Sequence, residues 1–507
     1  MEFITETFPN LSLGFSVALS PANLMYCFIG VFLGTMSGVL PGIGPLATIA
    51  MLLPITFNLP AVPALIMLAG IYYGCQYGGS TTAILVKLPG ESASVVTCID
   101  GHEMAKAGRA GPALAIAAIG SFVAGTVGTI LIAQFGPPIA ELALEFGAAE
   151  YFSLMVMGLV AASVLAYGSM SKSLAMVLLG LILGIVGTDV NSGMARFSFG
   201  IAGLTDGIQF SVIAMGLFGV AEIVKNLEGA GGQRDLLFQK IKHLYPTKED
   251  LKLSWKPIVR GTALGAFFGT LPGAGPTIAA FSSYALEKKM SKRSELFGKG
   301  AIEGVAGPES ANNAAAQCAF IPTLTLGIPG SGTMALMLGA LTIQGIAPGP
   351  QVMTQRPDLF WGLVASMWIG NAMLVILNLP LVGLWVKLLT VPYRILFPAI
   401  MMFMTIGVYS LNNASLDLYL MIIFGILGYL FIKLQCEPAP LILAVVLGPL
   451  MEENLRRALL ISRGDPTVFV TRPISAGFLI VTVIFLVIML LPAITQKRKE
   501  VLAADAS

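Results

Sequence analysis

The sequence is poor in charge. Of 507 residues only 11% are Asp, Glu, Lys or Arg, against 56% hydrophobic, and the mean hydropathy is +0.84. An ordinary soluble domain, in which about 25% of residues are charged, is therefore excluded. Histidine is almost missing: His102 and His243 are the only two, which argues against a histidine metal centre or a histidine-based triad. The five cysteines, Cys27, Cys75, Cys98, Cys318 and Cys436, form no CxxC pair, so their spacing describes neither a zinc site nor a disulfide framework. They read as small packing residues. No GxxxxGK[ST] loop is present, which excludes a P-loop ATPase within this chain. Nor is there an HExxH or GxSxG signature, and no catalytic residue is assigned. No Lys or Arg precedes Lys87. The opening MEFITETF has two acids and no basic n-region, unlike a cleavable signal peptide.

What fills the chain instead is long apolar sequence. Residues 473–494, PISAGFLIVTVIFLVIMLLPAI, contain no charge and reach the roughly 20 residues that a bilayer crossing needs. Apolar windows between polar breaks predict an all-α polytopic membrane protein with about 10 to 14 membrane segments, some of them re-entrant or broken. Two polar stretches, 228–256 and 287–313, interrupt the pattern. The expected organisation is a single integral membrane domain: a first repeat over 20–225, a connecting loop over 226–256, a second repeat over 257–450, and a C-terminal transmembrane helix over 473–495. Basic residues cluster in 225–260, 288–299 and 497–499, and the positive-inside rule places those regions in the cytoplasm and the N-terminus outside.

Within this apolar sequence, helix breakers recur in pairs. Residues 35–48 read TMSGVLPGIGPLAT and residues 266–279 read AFFGTLPGAGPTIA. Each is followed by a second break rich in Ser and Thr, GGSTTAILVKLPGESAS at 78–94 and FIPTLTLGIPGSGTM at 320–334. The second LPGxGP motif is flanked by basic stretches and the first by none. Two hairpins of opposite orientation, and hence two inverted-topology repeats, are expected. A pair of full-length helices joined by a tight turn would give the same charge pattern.

Unwound backbone at membrane depth is tolerated only where protein buries it or a watery cavity solvates it. The freed N–H groups at half-helix starts favour an anion, and unwound carbonyls favour a cation. The candidate substrate-binding residues are therefore Pro41, Gly42, Gly44, Ser80, Thr81, Thr82, Lys87, Pro89, Gly90, Ser92, Pro272, Gly273, Gly275, Pro329, Gly330, Ser331 and Thr333. Glu309, Asn312 and Asn313 in GPESANNAA are the candidate cation-binding residues. Each has a plainer reading. The glycines at 34, 38, 265 and 269 form GxxxG patterns that serve close helix packing. Lys87 and Glu91 stand at i and i+4 and suit one another as partners, and Glu309 after Pro308 suits the first turn of a helix. The stretch 101–111 reads as an interfacial, solvated loop.

The motifs GVLPGIGP (38–45), YGGSTTAILVKLPGESASVVTCIDGHEMAKAG (77–108), GTLPGAGP (269–276), GPESANNAAAQCAFIPTLTLGIPGSGTMALMLGAL (307–341) and IQGIAPGP (343–350) resemble the large membrane subunit of the tripartite tricarboxylate transporters, the TctA family. The likeness runs from about residue 20 to 450. It implies a multi-pass permease of the bacterial inner membrane working with a periplasmic solute-binding protein and a small membrane subunit of about four helices. Citrate or other carboxylates would be imported by sodium or proton symport. No cofactor is implied beyond a transported sodium ion, and no nucleic acid; membrane lipid is the surrounding partner. A membrane-embedded enzyme would need a base or nucleophile at depth, and a channel would build its filter from an oligomeric ring. Neither pattern is present.

Overall fold

A computed structural model describes residues 2–40, 44–165, 169–189, 192–229, 244–271, 275–388 and 393–490. It is almost wholly helical. The chain opens with α1 (Glu2–Ala18), α2 (Pro21–Val39), α3 (Gly44–Thr56), α4 (Ala61–Val86), α5 (Val95–Lys106) and α6 (Ala110–Leu144). Then come α7 (Ala148–Leu165), α8 (Met170–Gly184), a two-residue hairpin of β1 (Gly187–Thr188) with β2 (Ala195–Arg196), α9 (Phe210–Ala214) and α10 (Ala221–Gly229). After residue 243 follow α11 (Lys248–Gly269), α12 (Gly275–Met290), α13 (Glu303–Cys318), α14 (Phe320–Leu326), α15 (Gly332–Ile343), α16 (Gln351–Gln355) and α17 (Pro357–Asn378). The last elements are α18 (Val382–Leu388), α19 (Tyr393–Asn412), α20 (Ser415–Lys433), α21 (Ala439–Ile461), α22 (Val468–Thr471) and α23 (Pro473–Leu490).

Five helical stretches among the described residues are long and apolar enough to cross a membrane: Pro21–Val39, Ala110–Leu144, Phe210–Glu228, Pro357–Asn378 and Ser415–Lys433. Shorter apolar helices, α3, α8 and α15 among them, supply further membrane segments. The chain is an all-α polytopic membrane protein.

Two helices lie at the centre. In α4 every residue from Pro63 to Leu85 is buried, and in α13 every residue is. Each is held by the same device. On α2, a Cβ at Gly30, Gly34 or Gly38 would stand 2.3, 2.5 or 2.3 Å from the carbonyl oxygens of Met67, Ile71 and Cys75 on α4. On α11, a Cβ at Gly261, Gly265 or Gly269 would stand 2.2, 2.2 or 2.5 Å from those of Gly307, Ala311 and Ala315 on α13. Both seams repeat every fourth residue and bring backbone against backbone, the close approach that small residues permit in membrane helices. The GxxxG glycines are packing residues.

Three expectations about local structure are corrected. The stretch 287–313 is not a uniform polar interruption, because α13 begins at Glu303 and is enclosed on every side. Its Gly and Ala residues let neighbours approach closely, and its Glu303, Glu309, Ser310, Asn312 and Asn313 side chains find partners inside the protein. For the same reason Glu309 does not cap a helix start: it lies six residues beyond the first residue of α13. The segment 226–256 is helical from Lys248, since Thr247 and Asp250 form a capping box that nucleates α11. Finally, α5 continues through Lys106, and its Asp100 and His102 are buried rather than solvated.

Candidate functional site

Each glycine–proline break restarts a helix. Gly44 and Gly275, the first residues of α3 and α12, share a left-handed backbone, with φ of +55° and +60°. The second pair of breaks follows α4 and α14, which both end in a left-handed residue. That residue is Gly327 after α14, where glycine suits the conformation, but Lys87 after α4, with φ of +58°. Beyond them the chain starts again at Ser92–Ser94, a short 3-10 turn leading into α5, and at Gly332, the start of α15. Ser331 caps α15 by accepting a hydrogen bond from the Met334 amide at 3.3 Å.

All four restarts line one cavity of about 490 Å³, a volume typical of small-molecule sites. Gly44, Ser92, Gly275 and Gly332 contribute from the restarts themselves, and Ser92 Oγ lies 3.0 Å from Thr277 Oγ1 across the gap between them. The starts of α3, α12 and α15 each leave N–H groups without intrahelical partners and carry roughly half a positive charge, whereas the turn at Ser92 has three residues and is capped by Glu91. The cavity can therefore neutralise an anion without depending on lysine. The remaining wall includes Tyr72 and Gln76 of α4, Glu91, an ion pair of Lys225 with Glu222 at 3.3 Å, and Glu437.

Of the residues predicted to bind substrate, Gly44, Pro89, Gly90, Ser92, Gly275, Ser331 and Thr333 line this cavity. Pro41, Gly42, Pro272 and Gly273 lie outside the described residues. Lys87 is exposed, does not line the cavity, and forms no ion pair with Glu91. The left-handed turn at Lys87 separates the two side chains, so the helical i, i+4 geometry that would have joined them is absent. Pro329 and Gly330 do not line the cavity. Thr81 and Thr82 are turned into the protein, where Thr82 Oγ1 donates to the Val39 carbonyl at 2.8 Å and so satisfies the end of α2 at its break.

Ser80 belongs to a second cluster. Glu309 is wholly buried at the crossing of α13 with α4 and α5. Its carboxylate accepts hydrogen bonds from Ser80 Oγ at 2.5 Å, from Thr97 Oγ1, and from Asn312 Nδ2 at 3.4 Å. Asn313 Nδ2 donates to Asn312 Oδ1 at 2.6 Å, to Ser121 Oγ of α6 at 2.7 Å and to the Glu309 carbonyl at 3.0 Å. Among the described residues no Lys or Arg pairs with Glu309. Hydrogen bonds to a charged group contribute about 1.5–3 kcal/mol each, so three such bonds are of the same order as the several kcal/mol that burying an ion costs.

Thr97 and Ser121 were not singled out in the sequence, because nothing in their spacing connects them to residue 309. Asp100 was missed as well. It is wholly buried, and Oδ1 accepts from the backbone N–H groups of Gly298, Gly300 and Ala301 at 2.8, 2.8 and 2.9 Å, while Oδ2 accepts from the Tyr284 hydroxyl at 2.8 Å. By clamping α5 to the turn before α13, Asp100 holds Thr97 against Glu309. The one sequence signal for α4's part in the site was Gln76, a lone amide within IYYGCQYGG.

Helices broken around an anion-suited cavity, with a buried carboxylate beside it, are the apparatus of a membrane transporter rather than of a soluble enzyme. The chain belongs to the tripartite tricarboxylate transporter TctA family, which residues 24–443 match. It is 59% identical to an Agrobacterium vitis protein described as an uncharacterized 52.8 kDa protein in the TAR-I ttuC' 3' region, over 98% of this chain and 99% of the relative. A second Agrobacterium vitis protein, described as an uncharacterized protein in the TAR-II ttuC' 3' region, is 61% identical over 48% of this chain and its own full length. No solved structure matches the chain.

Proposed function

We propose that the chain is the permease subunit of a binding-protein-dependent secondary transporter in the bacterial inner membrane. It imports a carboxylate together with a sodium ion or proton, in company with a periplasmic solute-binding protein and a small membrane subunit. The carboxylate occupies the cavity among the four helix restarts, and the cation occupies the cluster of Glu309, Ser80, Thr97 and Asn312. The observation that carries this reading is the convergence of three helix N-termini, at Gly44, Gly275 and Gly332, on one cavity, the arrangement by which discontinuous membrane helices hold anionic substrates.

The order α2, α3, α4, α5, α6 has a counterpart in α11, α12, α13 with α14, α15, α17, and the two glycine seams fall at corresponding places. With opposite charge flanking, this supports two repeats of inverted topology. On that assignment the hairpin of α2 and α3 opens outward and that of α11 and α12 inward. Because α1 separates residue 2 from the start of α2 by about 25 Å, the first residues then lie toward the cytoplasmic face, contrary to the placement read from charge alone. Lys225, at the edge of the cavity, belongs to the basic stretch that favours the cytoplasm, so the cavity opens inward.

The test is uptake of labelled carboxylates into proteoliposomes holding this chain, its small subunit and the binding protein, under a sodium gradient or a proton gradient alone. Uptake that requires one of the two gradients is expected. Failure of every mono-, di- and tricarboxylate with all three components present would overturn the reading.

A further inference from the structure

One short piece of chain joins the cavity to the Glu309 cluster. It leaves α4 at Lys87, carries Pro89, Gly90, Glu91 and Ser92 into the cavity wall, and enters α5 at Val95. Both ends of this loop are tied to the same carboxylate. Ser80, near the end of α4, donates to Glu309 Oε2, and Thr97, in the first turn of α5, donates to Glu309 Oε1. Glu309 thus bridges the base of a loop whose tip faces the cavity.

The loop is packed closely enough to follow its base. A Cβ at Gly90 would lie 2.7 Å from Gly79 Cα, so the loop backbone rests on α4 directly beside Ser80. A Cβ at Gly79 would in turn meet Glu91 Cγ at 2.9 Å and Ser94 Oγ at 3.3 Å. Ser94 stands one turn before Thr97, is wholly buried, and does not line the cavity. Its hydroxyl donates to the Glu91 carbonyl at 2.9 Å and accepts from the Glu91 amide at 3.4 Å, half of a capping box between the two residues. At the other end of the loop Lys87 is exposed and left-handed. An element-terminal position of that kind absorbs backbone change in a hinge.

We infer that a cation at Glu309 sets the position of this loop in the cavity, and that Ser94 is the positioning residue through which it does so. A cation held by Glu309, Ser80 and Thr97 fixes the first turn of α5. Ser94 ties the Glu91 backbone to that turn, and Glu91 and Ser92 are thereby set in the wall that receives the carboxylate. This rests on the carboxylate and cation assignments above. The rival route is electrostatic, because a cation attracts an anion through space. The two routes have different needs: attraction between charges is indifferent to the Ser94 hydroxyl, whereas the loop depends on it.

The test is calorimetric binding of citrate, malate and succinate to the purified full-length chain in detergent. Each is titrated without sodium and at saturating sodium, and, without sodium, at neutral and at acid pH. The ratio of the dissociation constants without and with the cation is the coupling factor, and for the carboxylate that binds the parent it is expected to be about fivefold or more. In Ser94→Ala the factor should fall toward one, while sodium titrated alone, or the proton, binds as in the parent because Ser94 touches neither ligand. A merely structural Ser94 would weaken both constants alike and leave the factor unchanged. Thr97→Val serves if Ser94→Ala does not fold; it should weaken the cation and, compared at saturating cation, lower the factor as well. A factor of the parent's size in the folded variants would assign the coupling to electrostatics and overturn the inference. Loss of cation binding in Ser94→Ala, or a factor of one in the parent, would overturn it too and leave the carboxylate reading standing. If no carboxylate binds under any condition, the carboxylate reading itself fails and the inference falls with it.

Discussion

The helices α4 and α13 are held in the same way and do different things. Each is enclosed on all sides, and each meets a partner through three glycines at every fourth position. Matching the seams sets Met67 against Gly307, and therefore Ala69 against Glu309 and Tyr72 against Asn312. The α4 half gives the cavity an aromatic and amide wall, whereas the α13 half gives the buried carboxylate and its amides. Similar packing thus carries chemistry unequally, and the buried carboxylate Glu309 belongs to the second half.

The Pro-Gly breaks sharpen the comparison. A Cβ at Gly90 would lie 1.8 Å from the Gly38 carbonyl oxygen and 2.7 Å from Gly79 Cα, while one at Gly330 would meet nothing nearer than 3.4 Å. Gly90→Ala is expected to destabilise the protein by about 3 kcal/mol, at the upper end of typical overpacking penalties. Gly330→Ala should stay within about 0.5 kcal/mol of the parent. Thermal unfolding of the two purified variants in detergent measures the difference, and equal losses would break the comparison.

A smaller effect of opposite sign is expected where α4 ends. Lys87 holds a left-handed conformation that costs a residue with a side chain about 1–2 kcal/mol, at the place where α14 uses Gly327. Part of that strain is returned by Lys87→Gly, so its unfolding temperature should equal or exceed the parent's, with carboxylate uptake retained. Lost uptake in the stable variant would give Lys87 a role with substrate that its position outside the cavity does not suggest.

The smallest effect concerns pH. Asp250, at the cap of α11, loses solvation by burial, yet the Thr247 amide and hydroxyl and the Arg109 guanidinium together hold its carboxyl below the usual range. A lowered pKa means that the native state binds the proton less readily than the unfolded state. Its stabilisation is therefore complete above the unfolded value of about 3.9 and is lost as pH falls below that value through the folded one. Asp250→Asn should flatten the stability profile below about pH 4, as read from unfolding midpoints across an acid series; an unchanged profile would remove Asp250 from the account.

The breaks, the helical class and the family were legible because proline and glycine interrupt a helix wherever they fall together, and an interruption within apolar sequence forces the freed backbone into a protein-lined site. Ser80 and Glu309 were both picked out, but not as partners, since 229 positions separate them and only the fold brings them together. The helix α13 was concealed by its own composition. A hydropathy window reads Glu, Ser, Asn, Asn and Gln as surface, whereas the protein buries them between small residues and joins Glu309, Asn312 and Asn313 by hydrogen bonds. The turn at Lys87 was hidden for a related reason: i, i+4 pairing assumes a continuous helix, and α4 ends at Val86, before both charges.

The central claim is that Glu309 couples the cation to the carboxylate. Its most direct test compares two modes of transport in Glu309→Gln, a change that keeps shape while removing charge and turning one accepting oxygen into a donor. In proteoliposomes with all three components, exchange of internal for external labelled carboxylate should persist, while accumulation driven by the sodium or proton gradient should fall to background. Gradient-driven accumulation at the parent's level in this variant would contradict the account.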